Sequence, residues 1–135
     1  MWVREFTGTS TVSPERVFAV LADAERWSEW NAGVARIELA GPFAAGTAAV
    51  MHFPDGSALP FHLTWVEPGA GYEDLTPMPG GAAVRVRHLL APNGPGTRIT
   101  YRCEVEGSDA ATIGEGVTAD FPDVIAALAA RAAGE

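Results

Sequence analysis

The chain has 135 residues, 47% hydrophobic and 19% charged, which is about the length of one domain (roughly 150 residues) and the composition of a folded chain rather than a disordered one. Nine arginines and no lysine stand against 17 acidic residues, for a net charge of −8. That field repels phosphate backbones and anionic lipid surfaces, so nucleic acid and membrane insertion are excluded as partners. Cys103 is the only cysteine, which excludes an intramolecular disulfide, and with no signal-peptide pattern and no apolar span of about 18 residues the expected location is cytoplasmic.

The spacing predicts a first strand over Trp2–Val12 with Phe6, Gly8, Ser10 and Val12 facing inward. Ser13 is placed to cap a short helix that starts at Pro14 and runs to about Ala22. Asp23 is placed to cap a second one, Ala24–Trp30, whose Trp27 and Trp30 share a face. Apolar runs separated by Gly, Pro and Asn then predict strands near Val34–Leu39, Thr47–Phe53, Leu59–Glu67, Tyr72–Thr76, Ala82–Ala91 and Arg98–Glu106. Alternation puts Val84, Val86, His88 and Leu90 on one face, and Ile99, Tyr101, Cys103 and Val105 likewise. It sends Arg85, Arg87, Arg98, Arg102, Glu104 and Glu106 to the watery side. After Gly107 a helical stripe of Ile113, Val117, Phe121, Val124, Ile125, Leu128 and Ala132 needs a sheet to cover. Pro122 inside it predicts a kink, or a restart with Asp120 as the cap. The predicted architecture is α+β: a strongly curved seven-stranded antiparallel sheet around a long C-terminal helix, with two short helices between strands 1 and 2, in a single domain over residues 1–135.

The run from Val12 to Asn31, with Val17-Phe18 on the helix, Asp23 and the Trp27-Ser28-Glu29-Trp30 pair, resembles the opening of the START-related helix-grip superfamily, SRPBCC, in its small polyketide cyclase/dehydrase-like members. Gly41–Thr47, Val66–Gly69, Gly96–Tyr101 and Ala119–Pro122 are similar to later segments of such proteins, so the resemblance spans nearly the whole chain. It implies a hydrophobic cavity between sheet and long helix that binds lipids, sterols or polyketides, and in a minority of members catalyses cyclisation or dehydration. Two departures stand out: Phe18 replaces a frequent Trp, and Tyr101 replaces a frequent His, which weakens a transferred catalytic role at that strand.

Site chemistry is sparse. His52, His62 and His88 lie in separate strands without metal-ligand spacing, no phosphate-binding glycine loop occurs, and no nucleophile elbow is present. No cofactor is expected. His88 is the inward residue with acid–base capability, next to Tyr101 and Cys103, but it lacks an evident carboxylate partner, so a hydrogen bond at a cavity wall is the preferred role. Tyr101 reads as a polar handle for a ligand, and Cys103 as a small buried hydrophobe. Trp27 and Trp30 read as anchors for the helix pair rather than a ligand cage. Met51, Phe53, Phe61, Leu63, Tyr72 and Met78 suffice either to fill a core or to line a pocket; the family resemblance favours a pocket. The expected ligand-binding set is Met51, Phe53, Phe61, Leu63, Tyr72, His88, Tyr101, Cys103, Val117 and Phe121. The partner expected is a small hydrophobic or aromatic molecule, and the oligomeric state is left open. The alternatives are a polyketide cyclase or dehydratase using His88 and Tyr101, and a partner-binding domain with a solid core.

Overall fold

The computed structural model describes residues 1–134. Its strands are β1 (Trp2–Ser10), β2 (Arg36–Leu39), β3 (Ala48–His52), β4 (Ala58–Glu67), β5 (Gly71–Pro77), β6 (Ala83–Asn93) and β7 (Gly96–Glu106). They form one sheet in the order β1-β7-β6-β5-β4-β3-β2, antiparallel at every pairing. Strands β2 to β7 therefore follow one another as a meander, and β1 returns beside β7. The sheet is not closed, because β1 and β2 are its two edges.

The first strand ends at Ser10 rather than Val12. Ser10 Oγ accepts a hydrogen bond from the Val12 amide at 3.3 Å, and Thr97 Oγ1 donates to the Val12 carbonyl at 2.7 Å, which turns the chain off the sheet. The second strand begins at Arg36 rather than Val34, since the Val34 amide closes a turn on the Asn31 carbonyl. The last hairpin runs further than expected, to a two-residue turn at Gly94-Pro95, where Gly94 supplies the positive φ of 58° that the turn requires.

Helix α1 (Pro14–Ala22) starts as the sequence predicts, with Pro14 in the first turn and Ser13 Oγ accepting from the Arg16 amide at 3.4 Å. It buries Val17 and Leu21. The second segment is a 3₁₀ helix, Ala24–Glu29, too short for α-helical propagation. Asp23 does not cap it with its side chain; the carboxylate pairs with Arg26 at 3.5 Å on the exposed face. The C-terminal stripe is divided into α2 (Ala110–Thr118) and α3 (Phe121–Ala132), because Pro122 has no N–H to continue the first helix and sits in the first turn of the second. Asp120 occupies the N-cap position through its backbone, its carbonyl accepting from the Val124 amide at 2.9 Å, but its side chain makes no capping bond.

Leu21, Leu63, Ile99 and Leu128 are fully buried between helices and sheet, each contributing about 1.5–3 kcal/mol of hydrophobic stabilisation. A second cluster of Val84, Val86, Cys103 and Val105 is covered by Trp2 and by Ile113 and Val117 of α2. The convex side of the sheet is not simply solvated. Glu73 of β5 points there yet is only 4% exposed. Thr64 Oγ1 donates to it at 2.7 Å, Arg85 Nη1 at 2.6 Å and Arg87 Nε at 2.8 Å, so two of the arginines expected in water are committed to a clamp.

α3 sits close on β1 because Gly8 has no side chain: a Cβ there would lie 2.5 Å from Ile125 Cγ2. Gly8→Ala is expected to destabilise by about 1–3 kcal/mol through overpacking. Ile125→Ala in the same chain should recover part of that loss. Denaturant unfolding of the two single variants and the double variant measures it, and strictly additive losses would show that the helix seat does not depend on this contact.

Candidate functional site

Between the sheet and the junction of α2 and α3 lies a cavity of about 410 Å³, within the roughly 300–1,000 Å³ typical of small-molecule sites. Its floor is built from inward positions of β3 to β7: Met51, Phe61, Tyr72, Asp74, Thr76, Val84, His88 and Tyr101. Its roof is Gly116, Val117, Ala119, Asp120, Phe121 and Val124 around the helix break. Trp27, Trp30, Asn31, Gly33 and Val34 close one flank, and Phe53, Leu59 and Met78 complete the wall. Asp120 and Gly33 meet across the rim. A Cβ on Gly33 would stand 2.9 Å from Asp120 Oδ2, so the glycine makes room for the carboxylate there.

A single row crosses the floor. Tyr72, His88 and Tyr101 are register partners on β5, β6 and β7, and Phe6 of β1 continues the row. The Tyr72 and His88 rings stack at 4.0 Å, and Tyr101 meets His88 edge-on at 4.4 Å. Phe121 covers Tyr101 at 5.5 Å from above. His88 Nδ1 lies 3.3 Å from the Tyr72 carbonyl. A carbonyl only accepts, so Nδ1 carries the proton and Nε2 is left as an acceptor. Among the described residues Nε2 has no partner, nor have the Tyr101 hydroxyl and the Asp74 carboxyl. None of these atoms is sealed from solvent-sized contact, and all three residues line the cavity, so their free polar atoms open onto it.

Burial decides their protonation. It drives His88 down to about 3, outweighing the Tyr72 carbonyl and the Glu73 charge, both of which favour the cation. It drives Asp74 up to about 8, with the Glu73 carboxylate adding to the rise. Burial, then Asp74, lifts Tyr101 above the ordinary phenol range. Glu73, by contrast, resists its own burial through Thr64, Arg85 and Arg87 and stays below the usual carboxylate value. Neighbours in sequence, Glu73 and Asp74 are thus charged on one face and neutral on the other.

Met51, Phe53, Phe61, Tyr72, His88, Tyr101, Val117 and Phe121 of the expected set line the cavity; Leu63 and Cys103 do not. Leu63 faces inward but is fully covered in the main core, and Cys103 is fully covered under α2. Burial pushes the Cys103 thiol up to about 11, so it holds its proton. Met78 also reaches the wall. Trp27 is the anchor expected of it, buried, donating from Nε1 to the Leu21 carbonyl at 2.9 Å and stacked on Tyr72 at 6.0 Å, although it too touches the cavity. Trp30 is only half-buried and flanks the cavity. The residue that sequence reasoning missed is Asp74, two positions after Tyr72 and on the same strand face.

The profile of the polyketide cyclase/dehydrase and lipid transport family matches residues 1–133. The chain belongs to this family. No curated protein matches it in sequence. Among solved structures, Ara h 8.0201 superposes with a TM-score of 0.81 at 16% identity, over 99% of each chain. The Mll3558 protein from Rhizobium loti gives 0.75 at 26% identity, over 96% of this family member and 95% of that chain. Norcoclaurine synthase from Thalictrum flavum, in complex with dopamine and hydroxybenzaldehyde, gives 0.69 at 16% identity, over 95% and 84%. These likenesses establish the helix-grip fold. No helix among the described residues is long and apolar enough to cross a membrane.

The titrations of buried His88 and half-buried Asp74 have opposite signs. Asp74 holds a proton in the folded state that the unfolded chain loses above about 3.8, so the stability it provides in acid is lost as pH rises toward about 8. His88 refuses a proton that the unfolded chain takes up below about 6.5, so its contribution is full above that value and lost as pH falls toward about 3. Asp74→Asn should therefore raise the melting temperature at about pH 8, with the gain shrinking toward pH ~4. His88→Phe should flatten the decline on the acid side. Circular-dichroism melts across this range decide it; a gain in Asp74→Asn that is equal at both ends would contradict the assignment.

Proposed function

We propose that this protein binds and carries a small apolar or aromatic molecule in the cavity between its sheet and the α2–α3 junction. The observation that carries this reading is an apolar cavity onto which unpaired polar atoms of His88, Tyr101 and the half-buried Asp74 open. These atoms are reachable from the cavity, and a bound molecule can take the place of water as their partner. A solid-core partner-binding domain has no use for such a space. The norcoclaurine synthase complex supports the reading to the extent that a protein of the same fold holds two aromatic molecules. One buried cysteine and no disulfide fit a reducing, cytoplasmic setting.

A second reading, a cyclase or dehydratase, is favoured by one observation, the cavity-facing Asp74 carboxyl. It changes the assignment of roles. His88, held neutral down to about pH 3, is a poor proton acceptor, whereas a carboxyl poised near 8 exchanges protons in the neutral range. Tyr101 would then orient the substrate oxygen.

The test is saturable binding of the uncharged fluorophore N-phenyl-1-naphthylamine, expected in the micromolar range, about −7 to −8 kcal/mol. Val117→Trp fills the cavity from the roof and should abolish binding while leaving the fold intact by circular dichroism. A probe that fails to bind, or binds Val117→Trp equally well, would remove the basis for the proposal.

A further inference from the structure

We infer that the cavity selects an uncharged aromatic molecule bearing a carbonyl or hydroxyl oxygen, held by the Asp74 carboxyl and the Tyr101 hydroxyl, and that it excludes carboxylates of the same shape. The inference rests on the binding reading above and narrows the ligand class. No arginine among the described residues lines the cavity. Arg85 and Arg87, the cations nearest in the sheet, are on the convex face and engaged by Glu73. The acidic side chains on the cavity wall are Asp74 and Asp120. A carboxylate entering this space would be stripped of water beside carboxyl groups with no counter-charge, a cost that neutral ligands avoid. A ligand oxygen, in contrast, gives the unpaired Asp74 and Tyr101 groups an acceptor, and a ligand hydroxyl finds one in His88 Nε2.

The titratable groups that interact with Asp74 are Tyr72 on its own strand and Tyr101 and Cys103 on β7, with Glu73 behind it through the sheet, and His88 on β6 and Asp120 at the helix break line the same cavity. Tyr72, Tyr101 and Cys103 are all pushed upward and keep their protons in mild alkali, and His88 stays neutral. Asp74 gives up its proton near 8. Raising the pH through that value turns the Asp74 donor into a negative charge facing the ligand oxygen's lone pairs, so affinity for a ketone falls with pH.

Naphthalene, 2-acetylnaphthalene and 2-naphthoate form a matched series for displacement of N-phenyl-1-naphthylamine at pH ~6.5 and ~9.5. At the lower pH the ketone should bind about five- to tenfold more tightly than naphthalene, the value of one good hydrogen bond, and more than about tenfold more tightly than 2-naphthoate. At the higher pH its advantage over naphthalene should vanish. Asp74→Asn keeps an N–H donor and should retain the advantage at both pH values, while Asp74→Leu, left with the Tyr101 donor, should show a smaller advantage that does not change with pH. Equal binding of 2-naphthoate and the ketone, a full-sized or pH-dependent ketone advantage in Asp74→Leu, or an undiminished pH dependence in Asp74→Asn would each overturn the inference. Naphthalene binding with no preference for the ketone overturns it alone; failure of the probe and of all three compounds overturns the binding reading with it.

Discussion

Everything about the cavity depends on where the C-terminal helices are allowed to touch the sheet. α3 is seated on β1 at Gly8, where the missing side chain admits Ile125, and α2 packs over β7 and β1 with Trp2 against Gly114. The helices are thereby pinned to one edge of the sheet. Neither α2 nor α3 packs closely on β3 to β5, whose inward residues face the cavity and the Trp27–Trp30 flank instead. The break at Pro122 separates the two helices where that gap opens, so Val117, Phe121 and Val124 roof it instead of filling it. A side chain at position 8 would lift α3 and change the cavity from its far end.

The second organising feature is the alternation of β5. A strand sends successive side chains to opposite faces, so Glu73 and Asp74 experience different media across the thickness of one sheet. Arg85 and Arg87 leave β6 on the convex side and hold the Glu73 carboxylate in a charge-assisted grip. That grip keeps Glu73 ionised, and its charge helps keep Asp74 protonated on the concave side. Environments that drive neighbouring carboxyls apart mark places where proton position matters.

Much of this architecture was legible in the sequence, because it rests on local rules. Turn residues separated the strands, Ser13-Pro14 marked the start of α1, and Pro122 divided the C-terminal stripe. What was not legible needed knowledge of a third dimension. Asp23 and Asp120 have cap-forming chemistry, yet Asp23 pairs locally with Arg26 three residues on, and Asp120 meets Gly33 across the cavity rim, a contact that no local spacing specifies. Leu63 and Cys103 have inward parity like the true wall residues. Whether an inward side chain meets space or a neighbour depends on where the helices lie, and at these two positions it meets neighbours. Asp74 was overlooked although its signal was present: it stands two residues after an inward aromatic in a strand. Tyr72 and Asp74 therefore share a face, and the same register that gave His88 its wall position places a carboxyl beside it.

These placements set what kind of discrimination the site exercises. Burial pushes an acid and a base in opposite directions, each toward its uncharged form, so His88 and Asp74 are both neutral between about pH 3 and about 8. Over that interval the Tyr72–His88–Tyr101 row and Asp74 present dipoles rather than charges, arranged as donor and acceptor atoms on an otherwise apolar floor. A net charge of −8 on the chain opposes anionic ligands at a distance, screened within roughly 10 Å at ordinary salt. Inside, where water is excluded, the same preference is enforced by the absence of a lining cation. Selectivity by hydrogen-bond direction inside a pocket without a lining cation follows from which faces of β5 and β6 the arginines occupy: had Arg85 or Arg87 been one residue out of register, the guanidinium would have entered the cavity and the ligand class would change sign.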